Sequence, residues 1–285
     1  MPHSLRQGYL FAIATVSIWS GFVILSRYAQ GSGLNAYDLT ALRFTVAGFL
    51  LFPVWFFYHR VPLFTRQMAA ITLVGGLAYP LISYGAFSFS TASHGAVLLS
   101  GTLPFSMALV AGFVLHEYPS TKRWLALGVI FIGILCIAIH SLHDLAQTWR
   151  GDLMLVGASL LWAIYSTLIK RWRLAPWDVT IGVVLLSALV YLPIYLIFLP
   201  KGIAHATWAA IALQSVYQGI IVVIVAMFFY MQAMQKLGPT RLSAMMACVP
   251  AVAGLSAVMI LNEPFSLTLL LGLFLTSFGA WLGTR

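Results

Sequence analysis

The sequence predicts an all-α integral membrane protein with ten transmembrane helices, arranged as two inverted repeats of five. Three observations lead there: a composition suited to lipid, apolar runs of the length a bilayer demands, and a self-match at an offset of 146 residues. Of 285 residues, 61% are hydrophobic and 7% charged, with a mean hydropathy of +0.97. Soluble domains, by contrast, are about 25% charged.

Crossing about 30 Å of hydrocarbon takes roughly 20 apolar residues, and the chain divides into ten such runs. The first, Gly8 to Ser26, is too long for a secretory signal, and its end, SRYAQGS, lacks a small-x-small cleavage pattern, so it is kept as a span. Tyr37 to Tyr58 follows, with Arg43 about two turns inside its outer end. After the loop HRVPLFTRQ come Met68 to Phe87, containing Gly75, Gly76, Tyr79 and Pro80, and Ala92 to Leu115, containing His94, Ser100 and Pro104. Trp124 to Ile139 is the fifth run. The sixth, Leu153 to Ile169, leads into KRWRLAP, and the seventh is Trp177 to Leu199. Trp208 to Met234, Leu242 to Leu261 and Leu267 to Leu282 complete the ten, leaving no hydrophilic domain.

Helices are expected because backbone groups in hydrocarbon must bond within their own segment. Barrel strands would be about ten residues long and alternate in polarity, which these runs do not. Cys136 and Cys248 lie singly in separate apolar runs, arguing against a disulfide framework or thiol metal site.

Lys and Arg at the span ends set the orientation. With the N-terminus inside, eleven fall on the cytoplasmic side: Arg6, Arg60, Arg66, Lys122, Arg123, Lys170, Arg171, Arg173, Lys236, Arg241 and Arg285. Three, Arg27, Arg150 and Lys201, fall opposite. Both termini are therefore expected in the cytoplasm, and topology accounts for the net charge of +9. The basic residues form no single patch of the kind a nucleic acid would need.

An offset of 146 lays Tyr84 on Tyr230, Pro104 on Pro250, Glu117 on Glu263, Ser120 on Ser266 and Gly133 on Gly279. Earlier in each half the offset shrinks. Trp19 meets Trp162 and Arg27 meets Lys170 at 143, while Leu34, Asp38 and Thr40 meet Leu174, Asp178 and Thr180 at 140. The halves are residues 1–144 and 145–285. Because five is odd, the second half is inverted relative to the first, which puts Glu117 at the inner surface and Glu263 at the outer. Inverted repeats imply alternating access around a midplane site.

Such an architecture, with an apolar run leading to Glu and Pro in each half, resembles the drug/metabolite transporter superfamily, specifically its EamA-type members, over Gly8 to Gly283. NEPFS (262–266) matches the signature, and HEYPS (116–120) departs from it by one inserted residue. Within the superfamily the chain is similar to the YddG-type exporters of aromatic amino acids, though the motifs are specific for the superfamily and weak for substrate.

Each glutamate ends the fourth helix of its half. The reading favoured is structural: the carboxylate accepts bonds from the exposed N–H groups of the next helix, whose first turn suits the proline. Proton carriage is the alternative, disfavoured by the interfacial position. His94 is either a satisfied interfacial histidine or a coupling group, the former favoured. No acid falls in the middle of a span, which favours uncoupled transport.

The family's fold implies a site lined by the first, third and fourth helices of each half. That selects Trp19, Trp162, Tyr79, Pro80, Ser100, Pro104, Ser243, Met246 and Pro250, with Tyr165, Gln218 and Tyr230 as secondary candidates. Pro104 and Pro250 each free a carbonyl one turn earlier, which either faces a cavity or marks a plain kink. The indoles of Trp19 and Trp162, placed mid-span, need a partner in a cavity or in the core. Arg43 either snorkels outward, pairs with Asp38, or faces the cavity and holds a substrate carboxylate.

The function expected is export of amino acids, aromatic or otherwise large and apolar, and of related metabolites through the bacterial inner membrane. The alternative is a proton-coupled exporter of drugs or lipophilic cations. HEYPS lacks the second histidine of a zinc helix motif and no aspartate pair lies in a span, so an enzyme is discounted and no cofactor is implied. The partners expected are a small-molecule substrate and the bilayer, and pseudo-symmetry within one chain makes a monomer sufficient, unlike a channel built from a ring of subunits.

Overall fold

The computed structural model describes residues 3–117, 120–140 and 145–283, apart from the side chains of residues 3, 123, 137–140, 145–146, 239–240 and 243–244. Every regular element among them is helical. In order these are α1 (His3–Gln30), α2 (Ala36–Tyr58), α3 (Arg66–Ala86), α4 (Ala92–Leu115), α5 (Thr121–His140), α6 (Leu145–Trp172), α7 (Pro176–Phe198) and α8 (Trp208–Gly238). Two helical turns over 239–246 then lead to α9 (Val249–Leu261) and α10 (Leu267–Leu282).

Among the described residues seven helices, α1–α4 and α6–α8, are long and apolar enough to cross a membrane, and three apolar helices are shorter: Trp124–Cys136 within α5, α9 and α10. The run expected as one span from Leu242 to Leu261 is divided. The chain turns at 247–248, where the Cys248 N–H donates to the Met245 carbonyl at 3.0 Å, and α9 restarts with Pro250 in its first turn. At 13 residues α9 spans only about 20 Å.

The bundle is apolar outside as well as inside. Phe49, Leu73, Phe113, Leu196, Met259 and Phe274 are exposed on its surface, where a soluble protein would place polar groups, while Thr15, Gln214, Gln218 and Thr276 are fully buried. Lipid is the solvent that accommodates this distribution.

The helices pair in a pattern that survives exchanging each helix for the one five further on. α1 packs on α8 as α6 packs on α3, α2 on α8 as α7 on α3, and α1 on α9 as α6 on α4. α2 packs on α7, α4 on α9, and α5 on α10. The last pair explains Gly133 and Gly279. A Cβ on Gly133 would lie 2.9 Å from the Gly272 carbonyl oxygen, and one on Gly279 would lie 2.9 Å from that of Ala126. Small residues let the two backbones meet.

Helix starts follow the expected chemistry. Asn35 and Asp38 form a reciprocal cap on α2, and Thr65, Thr91, Thr207 and Ser266 each accept a backbone N–H from the first turn of α3, α4, α8 and α10. These caps change the role of Glu263. Ser266 already serves α10, and Pro264 lies in the loop before it, outside the first turn. The carboxylate instead reaches across to α4, 171 residues away, and accepts from the Ala92 N–H at 2.7 Å, the Ser93 N–H at 2.8 Å and the Ser93 hydroxyl at 2.6 Å. It caps a helix of the other half, and not the next helix in sequence.

Glu117 holds the equivalent place, directly after a residue in the left-handed region, His116 (φ 57°), as Glu263 follows Asn262 (φ 53°). Its side chain is more than half exposed and pairs with Lys170 of α6 at 2.7 Å. Pro119, also expected in a first turn, lies outside the described residues.

Candidate functional site

Three helices change their winding at mid-depth. α3 is π-helical over Thr72–Ala78, α4 over Ala96–Gly101 and α8 over Ser215–Val225. Each inserts extra backbone into a turn, a feature concentrated at functional sites. α4 then breaks at Thr102, whose hydroxyl donates to the Leu98 carbonyl at 2.6 Å, before a new helical segment begins at Leu103. Pro104 thus sits in a first turn, where its missing N–H costs nothing, and Pro250 does the same in α9. Neither proline kinks a continuous helix.

These irregular stretches surround a central cavity of about 190 Å³, many times the 10–15 Å³ or so that one water needs. Gly75 and Gly76 come from the π-helical part of α3, Leu99 and Ser100 from that of α4, and Val222 and Val223 from that of α8. The four residues at the two helix restarts, Ser100 with Leu103 and Met246 with Val249, lie 146 residues apart and face the same volume. Aromatic rings form much of the wall. Tyr79 and Trp162 meet at 4.9 Å between centroids, Trp162 and Tyr165 at 5.3 Å, and Trp19 is backed by Tyr230, stacked at 5.5 Å.

Of the residues singled out in the sequence, Trp19, Tyr79, Ser100, Trp162, Tyr165 and Met246 line this cavity. Tyr230 stands behind Trp19, and Pro80, Pro104 and Pro250 lie beside lining residues without facing the space. The side chain of Ser243 lies outside the described residues. His94 is not in the wall: its Nδ1 lies 2.9 Å from Oδ1 of Asp152, which also accepts from Ser90 and Thr148. The wall extends beyond the six helices expected, taking Arg43 and Phe44 from α2 and Thr180, Val183 and Val184 from α7. Arg43, a cation inside a span, was the available sign that α2 takes part.

Arg43 does not pair with Asp38. That carboxylate is occupied by the Tyr195 hydroxyl at 2.6 Å and by the backbone N–H groups of Asn35 and Gly202. Arg43 instead donates from Nη1 to the Tyr84 hydroxyl at 3.1 Å. Tyr84 donates onward to Gln218 at 3.0 Å, Gln218 to Gln214 at 3.1 Å, and Gln214 to the Leu25 carbonyl at 2.8 Å. Gln218 therefore positions Arg43 through Tyr84 and does not itself line the cavity.

The sequence model of the EamA-like transporter family matches the chain twice, over residues 6–139 and 149–285. An uncharacterized transporter of Bacillus subtilis (strain 168), YyaM, is 21% identical over 255 residues, covering 83% of this chain and 80% of its own. An uncharacterized transporter of Clostridium kluyveri is 21% identical over 290 residues, covering 97% and 92%. A solved structure, titled only as the crystal structure of a protein, superposes with a TM-score of 0.66 at 20% identity, over 97% of this chain and 96% of its own, which is a likeness of fold. With apolar spans, a central cavity and a double match to one family, the chain is a multi-pass membrane protein belonging to the EamA-like transporter family.

Proposed function

We propose that this transporter exports amino acids with aromatic or other large apolar side chains, and related metabolites, from the cytoplasm across a bacterial inner membrane. It works by alternating access between two inverted five-helix halves, residues 1–144 and 145–285, with both termini cytoplasmic and no ion gradient required. The observation that carries this is the cavity: Trp19 and Tyr79 from the first half and Trp162 and Tyr165 from the second surround one volume. Ring faces suit an indole, phenyl or phenol side chain and attract its ammonium group. The helix pairing that survives exchange of the halves, and the family match to each half, support the repeat.

Alternating access is supported by the unequal state of the two glutamates. Glu263 ties α9 to the start of α4, while Glu117, among the described residues, pairs with the exposed Lys170 alone. On this reading they are latches on opposite faces, one fastened and one released, and a transport cycle exchanges them. A proton-coupled exporter of lipophilic cations would need an acid against its cargo, and the described lining residues include none.

Calorimetric titration of the purified protein tests the substrate class. Phenylalanine and tryptophan should bind saturably, and Trp19→Ala and Trp162→Ala should each weaken binding about threefold to tenfold, the scale of an aromatic contact. Binding that ignores both substitutions would move the site elsewhere.

A further inference from the structure

Arg43 is a cation without an anion. Among the described residues the three ion pairs are His59–Asp178, His94–Asp152 and Lys170–Glu117, none of which includes a residue of the cavity wall. Its single hydrogen bond, from Nη1 to Tyr84, leaves Nε buried with no partner. A half-buried guanidinium inside a membrane span with no counter-anion is costly, and a ligand anion in the cavity would offset that cost.

The fold does not require it. The offset of 140 that lays Asp38 on Asp178 and Thr40 on Thr180 lays Arg43 on Val183, and Val183 faces the same cavity. One half thus fills this place in the wall with an apolar side chain, and the other with a charge. Where a repeat is otherwise kept, such a difference belongs to what the cavity holds.

We propose that Arg43 is the anion anchor of the transport site and that the substrate class is a monocarboxylate with an apolar, preferably aromatic, body. Arg43 lines the cavity while Tyr84 accepts from its Nη1 and its Nε is closed off, so the N–H donors left for a ligand are those of the guanidinium end, which suit a carboxylate oxygen. A phosphate dianion would call for a second cation, and Arg43 is the one cationic side chain among the described lining residues. The relay Tyr84–Gln218–Gln214 is fully buried and fixes the guanidinium before substrate arrives. This deepens the amino-acid reading above and rests on it.

Three probes separate the two. Phenylalanine, 3-phenylpropionate and phenethylamine share the ring and differ in carboxylate and amine. Wild-type protein should bind the two carboxylates, with phenethylamine about tenfold or more weaker, the scale of charge-assisted hydrogen bonds. Arg43→Gln should weaken both carboxylates to a similar degree and leave phenethylamine unchanged. If phenethylamine binds wild type as tightly as phenylalanine does, or Arg43→Gln binds all three as wild type does, the anchor is wrong while the aromatic cavity stands. If none of the three binds wild type, the substrate reading itself falls, and the anchor with it. Should Arg43→Gln fail to fold, the wild-type series alone decides.

Discussion

Replacing Glu263 by Gln should unfasten one face of the transporter. The carboxylate accepts three hydrogen bonds, two from the Ala92 and Ser93 N–H groups and one from the Ser93 hydroxyl. Bonds to a charged group are worth about 1.5–3 kcal/mol each, and a negative charge at a helix start adds about 0.3–1 kcal/mol. Glutamine keeps one neutral acceptor and turns an NH₂ group toward N–H donors. The site is partly open to water, so re-solvation recovers some of the loss. A net cost of about 2–3 kcal/mol remains, shifting the fastened-to-open ratio by roughly 30- to 150-fold. Spin labels at Phe89 and Phe265, both exposed, in a background lacking Cys136 and Cys248, read the gap by pulsed electron resonance. The expected result is a short distance in the parent protein and a new longer population in Glu263→Gln. Glu117→Gln should keep the short population, because its bond lies on the exposed side of α6. An unchanged distance distribution in Glu263→Gln would refute the latch.

Other expectations follow from the same geometry. Lys170→Ala should change thermal stability by less than about 1 kcal/mol in a detergent melt, since both partners of that pair are exposed. Gly279→Val should lower the melting temperature, at about 1–3 kcal/mol, because its Cβ would press on the α5 backbone. Gly128→Val on the same α5, with open space around its Cβ, should not. Gly75→Ala should push the Tyr165 ring into the cavity and weaken binding of aromatic ligands in titration, with the fold retained. Transport rates in vesicles should be the same with and without an imposed pH gradient.

The membrane spans could be read from the sequence because burial in lipid is a property of composition, and composition is visible residue by residue. The 146-residue offset likewise marked the two glutamates and Pro104 with Pro250, and the resemblance to the family, by implying the first, third and fourth helices of each half, led to Ser100, Met246, Trp19 and Trp162. What could not be read was who meets whom across the chain. Glu263 was expected to serve its own next helix, and nothing local revealed that Ser266 already does so or that Ala92 waits 171 residues away. Asp38 looked like the partner of Arg43 one turn off, but Tyr195 and Gly202 claim it from distant loops and helices. The π-helical stretches of α3, α4 and α8 have no residue signature, and the wall from α2 and α7 was missed, except for Arg43, because only the first, third and fourth helices of each half were expected to line the site. Pro104 and Pro250 were recognised as breaks, but whether a proline kinks a helix or starts a new one depends on the turn before it, here Thr102 and Cys248.

The most direct test of the central proposal is counterflow in proteoliposomes loaded with unlabelled phenylalanine and given labelled phenylalanine outside. A carrier of aromatic amino acids gives saturable, transient accumulation of label that is insensitive to a pH gradient and reduced in Trp162→Ala. Label that enters without saturation, or only when protons flow, or not at all, would contradict it.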